Sequence, residues 1–333
     1  MADEVRLGIA GLGVGRGRIR TAVETTGANL VCICDLQEDK VQEVAGESNC
    51  EWTTSFEDMI ARDDIDAVGI FTPSGTHCDL ALKSILAGKH TFTTKPMDIN
   101  VDKCDAAIQA AKEAGLVLAV DFGNRYSRIN HQVKAALDQG RLGKIFLGDV
   151  RLKWYRHQSY YDGGYPLGWR SRTDTEGGSI ANQGVHYVDL IYWFLGPVKE
   201  VFGRSGTLGH EIETEDITIA HLTFQNGAWG LIETTTANAP NLGTTVEISG
   251  TEGTLVWKNA DIVLCEDVNQ EPIDLESIDV PPGPKNIIED MVSAITQGTT
   301  PAVPGEEGKK SVEIFTSVYE SSRTGQPVVL NQT

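Results

Sequence analysis

The amino-acid sequence predicts an α/β protein with two domains, a doubly wound parallel sheet followed by an α+β domain whose large open sheet is mostly antiparallel. Up to about residue 122, apolar strand-like runs alternate with helical patterns, which is typical of a parallel sheet flanked by helices. From residue 145 onward, apolar residues recur at every second position between turn signals, which is typical of antiparallel strands. A chain of 333 residues also exceeds what one hydrophobic core usually organises. We therefore assign residues 1–122 to the first domain and residues 123–333 to the second.

The start of the chain carries a dinucleotide-binding signature. The strand-like run Val5–Ala10 leads directly into Gly11-Leu12-Gly13-Val14-Gly15, a helical stretch follows, and a second strand-like run ends in Asp35. Such glycines allow a tight turn and bring backbone N–H groups at a helix start close to a pyrophosphate. An acid at the end of the second strand is placed to accept hydrogen bonds from the adenosine ribose. The sequence therefore predicts a Rossmann domain in which Gly11 to Gly15 and Asp35 contact NAD.

The glycine loop departs from the usual pattern in one place. The third glycine of G-x-G-x-x-G would fall at Arg16, which lies between Gly15 and Gly17. Asp35 favours NAD, because a 2′-phosphate would meet a like charge there. Arg16 and Arg18 would compensate that charge if the loop directs them at the ribose, so NADP remains the alternative.

A second strand–helix–strand unit ends in a lysine. The apolar run Asp66–Phe71 ends in Thr72-Pro73-Ser74, a helical pattern covers His77 to Gly88, and the run from His90 ends in Lys95-Pro96. This is the length of a βαβ crossover, and open parallel sheets bind ligands at the carboxyl ends of their strands. We therefore expect Lys95 to reach both cofactor and substrate. The alternative is a solvated loop lysine.

The second domain alternates strands with a few helices. Its strand-like runs are Ile145–Trp154, Glu200–Thr207, Asp216–Phe224, Ala228–Thr236, Thr244–Ser249 and Thr254–Lys258. A helix over Ser127–Gly140 precedes them, and one strong helix, Ile180 to Leu195, interrupts them. An acidic linker over about 266–284 leads to two C-terminal helices, roughly Lys285–Gln297 and Gly305–Arg323.

The strong helix carries a polar face next to a double glycine. Asn182, His186 and Asp189 are spaced i, i+4, i+7 and are predicted to share one face of that helix. An imidazole titrates near neutral pH without any perturbation, so His186 is suited to take a hydroxyl proton. The alternative is a buried structural histidine.

Aromatic and basic residues cluster before this helix. The segment Trp154–Tyr161 is followed by Gly168-Trp169-Arg170. Aromatic faces with Arg and His between them suit a polyhydroxylated ring, which stacks on its apolar face and hydrogen bonds at its edge. The alternative for the same composition is a subunit interface.

Composition excludes several classes of partner. The net charge of −19 argues against nucleic acid or an anionic membrane. No run approaches the roughly 20 apolar residues of a membrane span, and the start Met1-Ala2-Asp3-Glu4 does not resemble a signal peptide. The six cysteines show no metal-ligand spacing and are typical of free thiols in a reducing compartment. We expect a cytoplasmic protein that binds no metal.

Motifs along nearly the whole chain resemble the Gfo/Idh/MocA oxidoreductases, relatives of glucose-fructose oxidoreductase and inositol dehydrogenase. The matching residues are Gly11-Leu12-Gly13, Asp35, Thr72-Pro73 with His77, Ala87-Gly88-Lys89-His90, Lys95-Pro96, Asn124-Arg125-Tyr126, Trp169-Arg170, Gly177-Gly178, His186 with Asp189, Glu215-Asp216, the turn 250–253 and Ser322-Arg323-Thr324-Gly325. The spread is specific for the family and weakly specific for any one member.

The resemblance implies hydride transfer between a sugar or cyclitol carbon and NAD(P), and a C-terminal sheet that forms a homodimer or homotetramer. It implies Lys95, His186 and Asn182 as catalytic residues, with His186 as the acid/base. Further cofactor contacts implied are Thr72, Pro73, Ser74, His77, Thr94, Lys95 and Asn124. Substrate contacts implied are Lys95, Arg125, Tyr126, Tyr160, Trp169, Arg170, Asn182 and His186.

Two positions depart from the family pattern. Thr94 stands where the family usually has the Glu of Glu-Lys-Pro, and Asn182 stands where an Asp is frequent. Both differences remove a carboxylate near Lys95. Two alternatives to a dehydrogenase also remain: a redox-neutral glycosidase that uses bound NAD transiently, and a non-enzymatic sensor of dinucleotide or sugar.

Overall fold

The computed structural model of the chain describes residues 4–259 and 261–330. It divides into two compact units, one formed by the chain up to Tyr126 with Gly283–Lys309, the other by Ser127–Pro282 with the chain from Lys310 onward. The predicted ranges 1–122 and 123–333 differ from these units chiefly because Gly283–Lys309 returns to the first. Those ranges also include residues 1–3, 260 and 331–333, which lie outside the described residues.

The first unit contains a six-stranded parallel sheet in the order β3-β2-β1-β4-β5-β6. Its strands are β1 Val5–Ala10, β2 Ala28–Cys34, β3 Glu51–Thr53, β4 Ala67–Ile70, β5 His90–Thr94 and β6 Leu118–Asp121. The order runs outward from β1 in both directions, as the predicted doubly wound sheet requires. All strand carboxyl ends therefore lie along one edge, where β1, β4 and β5 are neighbours.

Five helices connect these strands, and local sequence explains where several begin and end. They are α1 Gly15–Glu24, α2 Glu38–Ser48, α3 Phe56–Ile60, α4 His77–Leu86 and α5 Val101–Ala114. Helix α5 begins after Asn100, whose side chain accepts the N–H of Lys103 at 3.2 Å, and ends at Gly115, which is left-handed at φ 65°. An Asn N-cap and a glycine C-cap are the usual signals for such boundaries.

The second unit contains an eight-stranded sheet in the order β13-β12-β11-β7-β10-β9-β8-β14. Its strands are β7 Ile145–Lys153, β8 Val198–Gly206, β9 Ile217–Phe224, β10 Trp229–Thr235, β11 Gly243–Gly250, β12 Gly253–Lys258, β13 Asp261–Asp267 and β14 Val328–Val329. Among the described strands of this sheet, only β7 and β10 pair in parallel, so the predicted mostly antiparallel sheet is confirmed. Strand β13 was not predicted, because acidic residues at both of its ends made it look like the start of a linker.

Five further α-helices follow in the described part of the chain, and a π-helical turn precedes one of them. They are α6 Arg128–Asp138, α7 Gln158–Asp162, α8 Val185–Leu195, α9 Ile287–Gln297 and α10 Gly305–Thr324. The predicted single helix over 180–195 is wrong at its start, because Ser179–Gly184 forms a π-helical turn before α8. Asn182 and His186 therefore lie on different helix types, and Asp189 is buried rather than on a shared exposed face. No described helix has the length and apolar character to cross a membrane.

Helix α9 belongs to the core of the first unit. Asn286 caps it by accepting the N–H groups of Ile288 and Glu289 at 2.9 and 3.0 Å. Ile287, Ile288 and Met291 are completely buried in the same apolar cluster as the residues of β1 and β2. Burying three such side chains stabilises the unit by several kcal/mol, about 1.5–3 kcal/mol for each.

Candidate active site

The glycine loop follows β1 at the carboxyl edge of the first sheet. Gly11 has φ +92°, and a Cβ there would stand 2.5 Å from the carbonyl oxygen of Phe71. Only glycine allows this close approach between the ends of β1 and β4. A Cβ on Gly13 would meet no atom within 4 Å, so backbone there is open to a ligand. Helix α1 begins at Gly15, which directs its first N–H groups toward that space.

The acidic residue at the end of β2 is bound to the same loop. Asp35 accepts the N–H of Leu12 at 2.8 Å with one oxygen and that of Gln37 at 2.9 Å with the other. Arg16, a candidate for compensating a 2′-phosphate, instead binds Glu47 at 3.0 Å. Arg18, the other candidate, binds Asp121 at 2.5 Å. Both arginines therefore already have carboxylate partners in this unit.

Lys95 follows β5 in a turn that is fixed on both sides. It is partly exposed, while Thr94, Pro96 and Met97 around it are buried. The completely buried Asp98 accepts the N–H groups of Cys78, Ile99 and Asn100 at 2.8–3.0 Å. Burial raises the pKa of Asp98, although these N–H groups act in the opposite direction. Lys95 is thus held by an ordered turn and is not a fully solvated loop lysine.

His77 closes this turn from the other side. Its Nδ1 lies 2.8 Å from the carbonyl oxygen of Pro96, and its Nε2 lies 2.7 Å from that of Thr72. The side chain is completely buried, and this burial lowers the pKa of His77 while the two carbonyls act to raise it. Because both ring nitrogens face backbone carbonyls, they are not placed to hydrogen bond a cofactor, and a contact between His77 and the cofactor stays a prediction. The ring instead joins the ends of β4 and β5.

An unpredicted carboxylate stands beside Lys95. Asp121 ends β6 and is paired in register with Thr94 of β5. Its side chain is 2% exposed, and one of its oxygens has no hydrogen-bond donor among the described residues. Burial raises the pKa of Asp121, and the hydrogen bond from Arg18 and the charges of Arg18 and Lys95 lower it. The neighbouring strand therefore supplies a carboxylate that Thr94 cannot.

The Asn124-Arg125-Tyr126 motif forms a short 3-10 helix after β6, Gly123–Tyr126. The Arg125 side chain is 4% exposed and lies 3.6 Å from Glu307. The Tyr126 hydroxyl donates to Asp290 of α9 at 3.0 Å, and burial raises the pKa of Tyr126. Both side chains are thus engaged with acids of the first unit, and their contacts with substrate stay predictions.

In the second unit, the π-helical turn carries Asn182 and leads into α8, where His186 stands in the first turn; both are partly exposed. The start of the turn is anchored by the buried Glu215. Its carboxyl accepts Ser179 Oγ at 2.6 Å, the Ile180 N–H at 2.8 Å and the Tyr319 hydroxyl at 3.2 Å. Glu215 therefore fixes the segment from which Asn182 and His186 project.

Burial raises the pKa of Glu215 from 4.5 to about 7, although its hydrogen-bond donors act to lower it. Gly178 allows the close contact, because a Cβ there would stand 2.1 Å from the Glu215 carbonyl oxygen. Gly177 is required for a different reason, because a Cβ there would stand 2.2 Å from the Cβ of Ala181. Glu215 is one of the residues that match the family motifs, but the sequence gave no signal that its side chain is buried.

The aromatic segment is connected to the same turn. Gln183, next to Asn182, donates from Nε2 to the Tyr160 hydroxyl at 3.1 Å. The guanidinium carbons of Arg156 and Arg170 lie 5.4 and 4.8 Å from the centre of the Tyr160 ring. The structure therefore brings Tyr160 and Arg170 together as predicted candidates and adds Gln183 and Arg156, which were not proposed as site residues.

These features fit a dinucleotide in the first unit. Gly13 leaves room for a pyrophosphate at the start of α1, and Asp35 is placed to receive a ribose. Among the described residues, no group of three or more His, Cys, Asp or Glu side chains could hold a metal ion.

Comparison with known proteins agrees with both units. The family profile described as an oxidoreductase family with an NAD-binding Rossmann fold matches residues 5–122, and that of the GFO/IDH/MocA C-terminal domain matches residues 130–256. The scyllo-inositol 2-dehydrogenase (NAD(+)) of Bacillus subtilis is 25% identical, over 99% of this chain and 98% of that protein. The myo-inositol 2-dehydrogenase of Thermotoga maritima is 24% identical, over 98% of this chain and 99% of that protein.

One solved structure is closer in sequence than these relatives. The WlbA dehydrogenase from Bordetella pertussis, crystallised with NADH and UDP-GlcNAcA, is 31% identical and has a TM-score of 0.90. The match covers 99% of this chain and 100% of that one.

A Rossmann sheet and a mostly antiparallel second sheet in one chain, with these profile matches, define an NAD-dependent oxidoreductase. The chain belongs to the Gfo/Idh/MocA family. The predictions of the family, the α/β fold, oxidoreductase activity and NAD as the cofactor are confirmed.

Proposed function

We propose that this protein transfers hydride between a secondary alcohol of a sugar, sugar derivative or cyclitol and NAD. The proposal rests on the positions of two side chains: Lys95 follows β5 in an ordered turn, and His186 stands in the first turn of α8. Each is a partly exposed polar side chain on a segment of buried residues. The relatives named as inositol dehydrogenases, and the one crystallised with NADH and UDP-GlcNAcA, support the substrate class.

Each residue has a separate role. His186 accepts the hydroxyl proton at an imidazole nitrogen during oxidation, because imidazole titrates near neutral pH. The Lys95 ammonium and the Asn182 amide donate hydrogen bonds to the same oxygen and stabilise its developing negative charge. Bound NAD supplies the hydride acceptor.

The cofactor-holding residues belong to the first unit. The N–H groups of the loop Gly11 to Gly15 bind the pyrophosphate, and Asp35 binds the adenosine ribose. Thr72, Pro73, Ser74, Thr94 and Asn124, at or after the carboxyl ends of β4, β5 and β6, line the nicotinamide half.

Substitution of His186 tests this assignment. His186→Ala is expected to lower kcat by about 10² or more, because it removes the proton acceptor. NADH binding, followed by fluorescence titration, should stay within a few-fold of the wild type. A variant that loses NADH binding, or that keeps wild-type kcat, would show that His186 is not the acid/base.

The same assays separate the two alternatives. A redox-neutral glycosidase would release an aglycone without net NADH formation. A sensor would bind NAD and sugar and turn over neither. Net NADH formation from a free sugar or inositol excludes both.

We also propose a cytoplasmic homodimer or homotetramer that associates through the outer face of the second sheet. Phe202, Ile219, Trp229 and Leu231 on β8, β9 and β10 expose large apolar surfaces, 61% for Trp229. Exposed apolar patches of this kind mark interaction surfaces. Light scattering of Trp229→Asp should show a smaller particle than the wild type, and an unchanged mass would contradict the proposed surface.

A further inference from the structure

We propose that the substrate carries an anionic group, a carboxylate or a phosphate, and that Arg156 and Arg170 bind it. The inference rests on the proposed function and narrows its substrate class from sugars in general to charged sugars. The shared chemistry is a planar or tetrahedral oxyanion that accepts hydrogen bonds from guanidinium groups.

The two guanidinium groups are held by aromatic rings. Arg156 lies 5.1 Å from the ring centre of Trp154 and 5.4 Å from that of Tyr160. Arg170 lies 4.3 Å from the ring centre of Trp169 and 4.8 Å from that of Tyr160. Two positive charges therefore share the Tyr160 ring. The face of an aromatic ring attracts a cation but does not accept the paired N–H hydrogen bonds that a guanidinium group donates. This packing therefore leaves the guanidinium N–H groups available to a ligand.

Neighbouring acids do not neutralise these charges. Among residues 4–259 and 261–330, no carboxylate forms an ion pair with Arg156 or Arg170. Asp162 at the end of α7 accepts a hydrogen bond from Gln158 at 2.9 Å instead. Arg172, only two positions from Arg170, binds Asp174 with two hydrogen bonds of 3.0 and 2.6 Å. In a chain with 47 acidic and 28 basic residues, two adjacent arginines without an acidic partner call for an external anion.

The backbone conformation fixes the positions of both arginines. A Cβ on Gly164, at φ +91°, would stand 2.5 Å from Trp169 Nε1 and 2.8 Å from Arg170 Nη1. The loop can therefore pack against these side chains only with glycine at that position. Arg156 is fixed by its own backbone, whose N–H donates to the Thr236 carbonyl at 2.8 Å and whose carbonyl lies 2.8 Å from His210 Nε2.

The buried side chain of Gln183 connects this cluster to the catalytic segment. It donates to the Tyr160 hydroxyl and directly follows Asn182 in the π-helical turn. An anion bound by the two arginines would thus be positioned by the same turn that positions Asn182. A neutral hydroxyl needs no such pair of charges, whereas a carboxylate or phosphate binds a guanidinium with paired, charge-assisted hydrogen bonds.

Calorimetric titration of the NADH-loaded protein tests the inference. The probes are D-glucose, D-glucuronate, D-glucose 1-phosphate and UDP-glucose. We expect at least one charged probe to bind at least tenfold more tightly than D-glucose. Preference for glucuronate identifies a carboxylate, and preference for glucose 1-phosphate or UDP-glucose identifies a phosphate. Equal affinity for charged and neutral probes, or no binding of any charged probe, overturns the inference.

Substitutions assign the charge preference to the two arginines. Arg156→Gln and Arg170→Gln should each reduce the ratio of charged to neutral affinity by about 10-fold to 100-fold, the usual effect of removing hydrogen bonds to a charged group. Arg172→Gln, whose arginine binds Asp174, is the matched control and should keep the wild-type ratio. A ratio that survives both glutamine variants overturns the assignment. Arg156→Lys and Arg170→Lys, which keep the charge, serve where a glutamine variant does not fold.

The outcome also separates this inference from the proposed function. Arginine-dependent binding of a charged sugar without NADH formation from any sugar would leave the anion site in place and contradict the dehydrogenase. NADH formation from neutral sugars alone, with no binding of charged ones, would leave the dehydrogenase and contradict the anion site.

Discussion

The buried carboxyl of Glu215 predicts a pH dependence of stability that one substitution should remove. Burial raises its pKa in the folded protein from 4.5 to about 7. Between those two values the folded protein holds a proton that the unfolded chain has released. The contribution of this group to stability is therefore fully present below about pH 4.5 and is lost as the pH rises through about 7.

The magnitude follows from the size of the shift. A pKa change of one unit corresponds to about 1.4 kcal/mol, so the whole shift corresponds to about 3 kcal/mol. The proton also has a place in the structure. The protonated oxygen can donate to Ser179 Oγ, whose own hydrogen can then turn to the Thr234 carbonyl oxygen at 3.2 Å.

Urea unfolding of Glu215→Gln, compared with the wild type at about pH 5 and about pH 8, measures this effect. The free energy of unfolding of the variant relative to the wild type should rise by about 2.5 kcal/mol between the two pH values, slightly less than the full shift because pH 5 lies above the unfolded pKa. Glu320→Gln is the control, because Arg323 lowers the pKa of this exposed carboxyl and Glu320 stays ionised at both pH values. A difference that does not change with pH for Glu215→Gln would refute the argument.

Three further predictions concern the cofactor, the lysine and two glycines. Because Asp35 is proposed to bind the adenosine ribose and Arg16 and Arg18 already bind acids, kcat/KM should be at least tenfold higher with NAD than with NADP, about 1.4 kcal/mol; a tenfold preference for NADP would contradict this. Asp121→Asn removes a negative charge that favours the ammonium form of Lys95, so the basic limb of the kcat/KM profile should move to lower pH, and an unmoved profile would show that the two groups are not coupled. Gly178→Ala, whose Cβ would stand 2.1 Å from a carbonyl oxygen, should destabilise by about 3 kcal/mol or more. Gly46→Ala in α2, whose Cβ would meet nothing within 4 Å, should stabilise by about 0.5–1 kcal/mol, and thermal unfolding of the pair checks that their signs differ.

Local signals predicted much of the fold. The two C-terminal helices were predicted at roughly Lys285–Gln297 and Gly305–Arg323, and the structure has them at Ile287–Gln297 and Gly305–Thr324. The strands of the second sheet up to β12 were predicted from their period-two patterns. The π-helical turn at Ser179–Gly184 was not, because its departure from α-helical geometry depends on a buried carboxyl 36 residues from Ser179.

In the candidate site too, features set by local sequence could be predicted, and features set by distant contacts could not. The glycine loop and Asp35 lie within one strand–helix–strand unit, where spacing alone brings them together. The environments of His77 and Tyr126 depend on contacts with distant segments, such as the 164 residues that separate Tyr126 from Asp290. The family motifs located His77 and Tyr126 in the correct segments, but they could not show which groups their side chains contact.

The return of α9 to the first unit has a consequence for how the protein is synthesised. Ile287, Ile288 and Met291 complete the core around β1 and β2, yet the ribosome makes them only after nearly all of the second unit. At about 5–20 residues per second, β1 and β2 wait on the order of ten seconds or more before α9 exists to cover them. During that interval the nascent chain carries an unfinished apolar face around β1 and β2. The second unit is completed later still, because its segment from Lys310 onward follows α9 in the sequence.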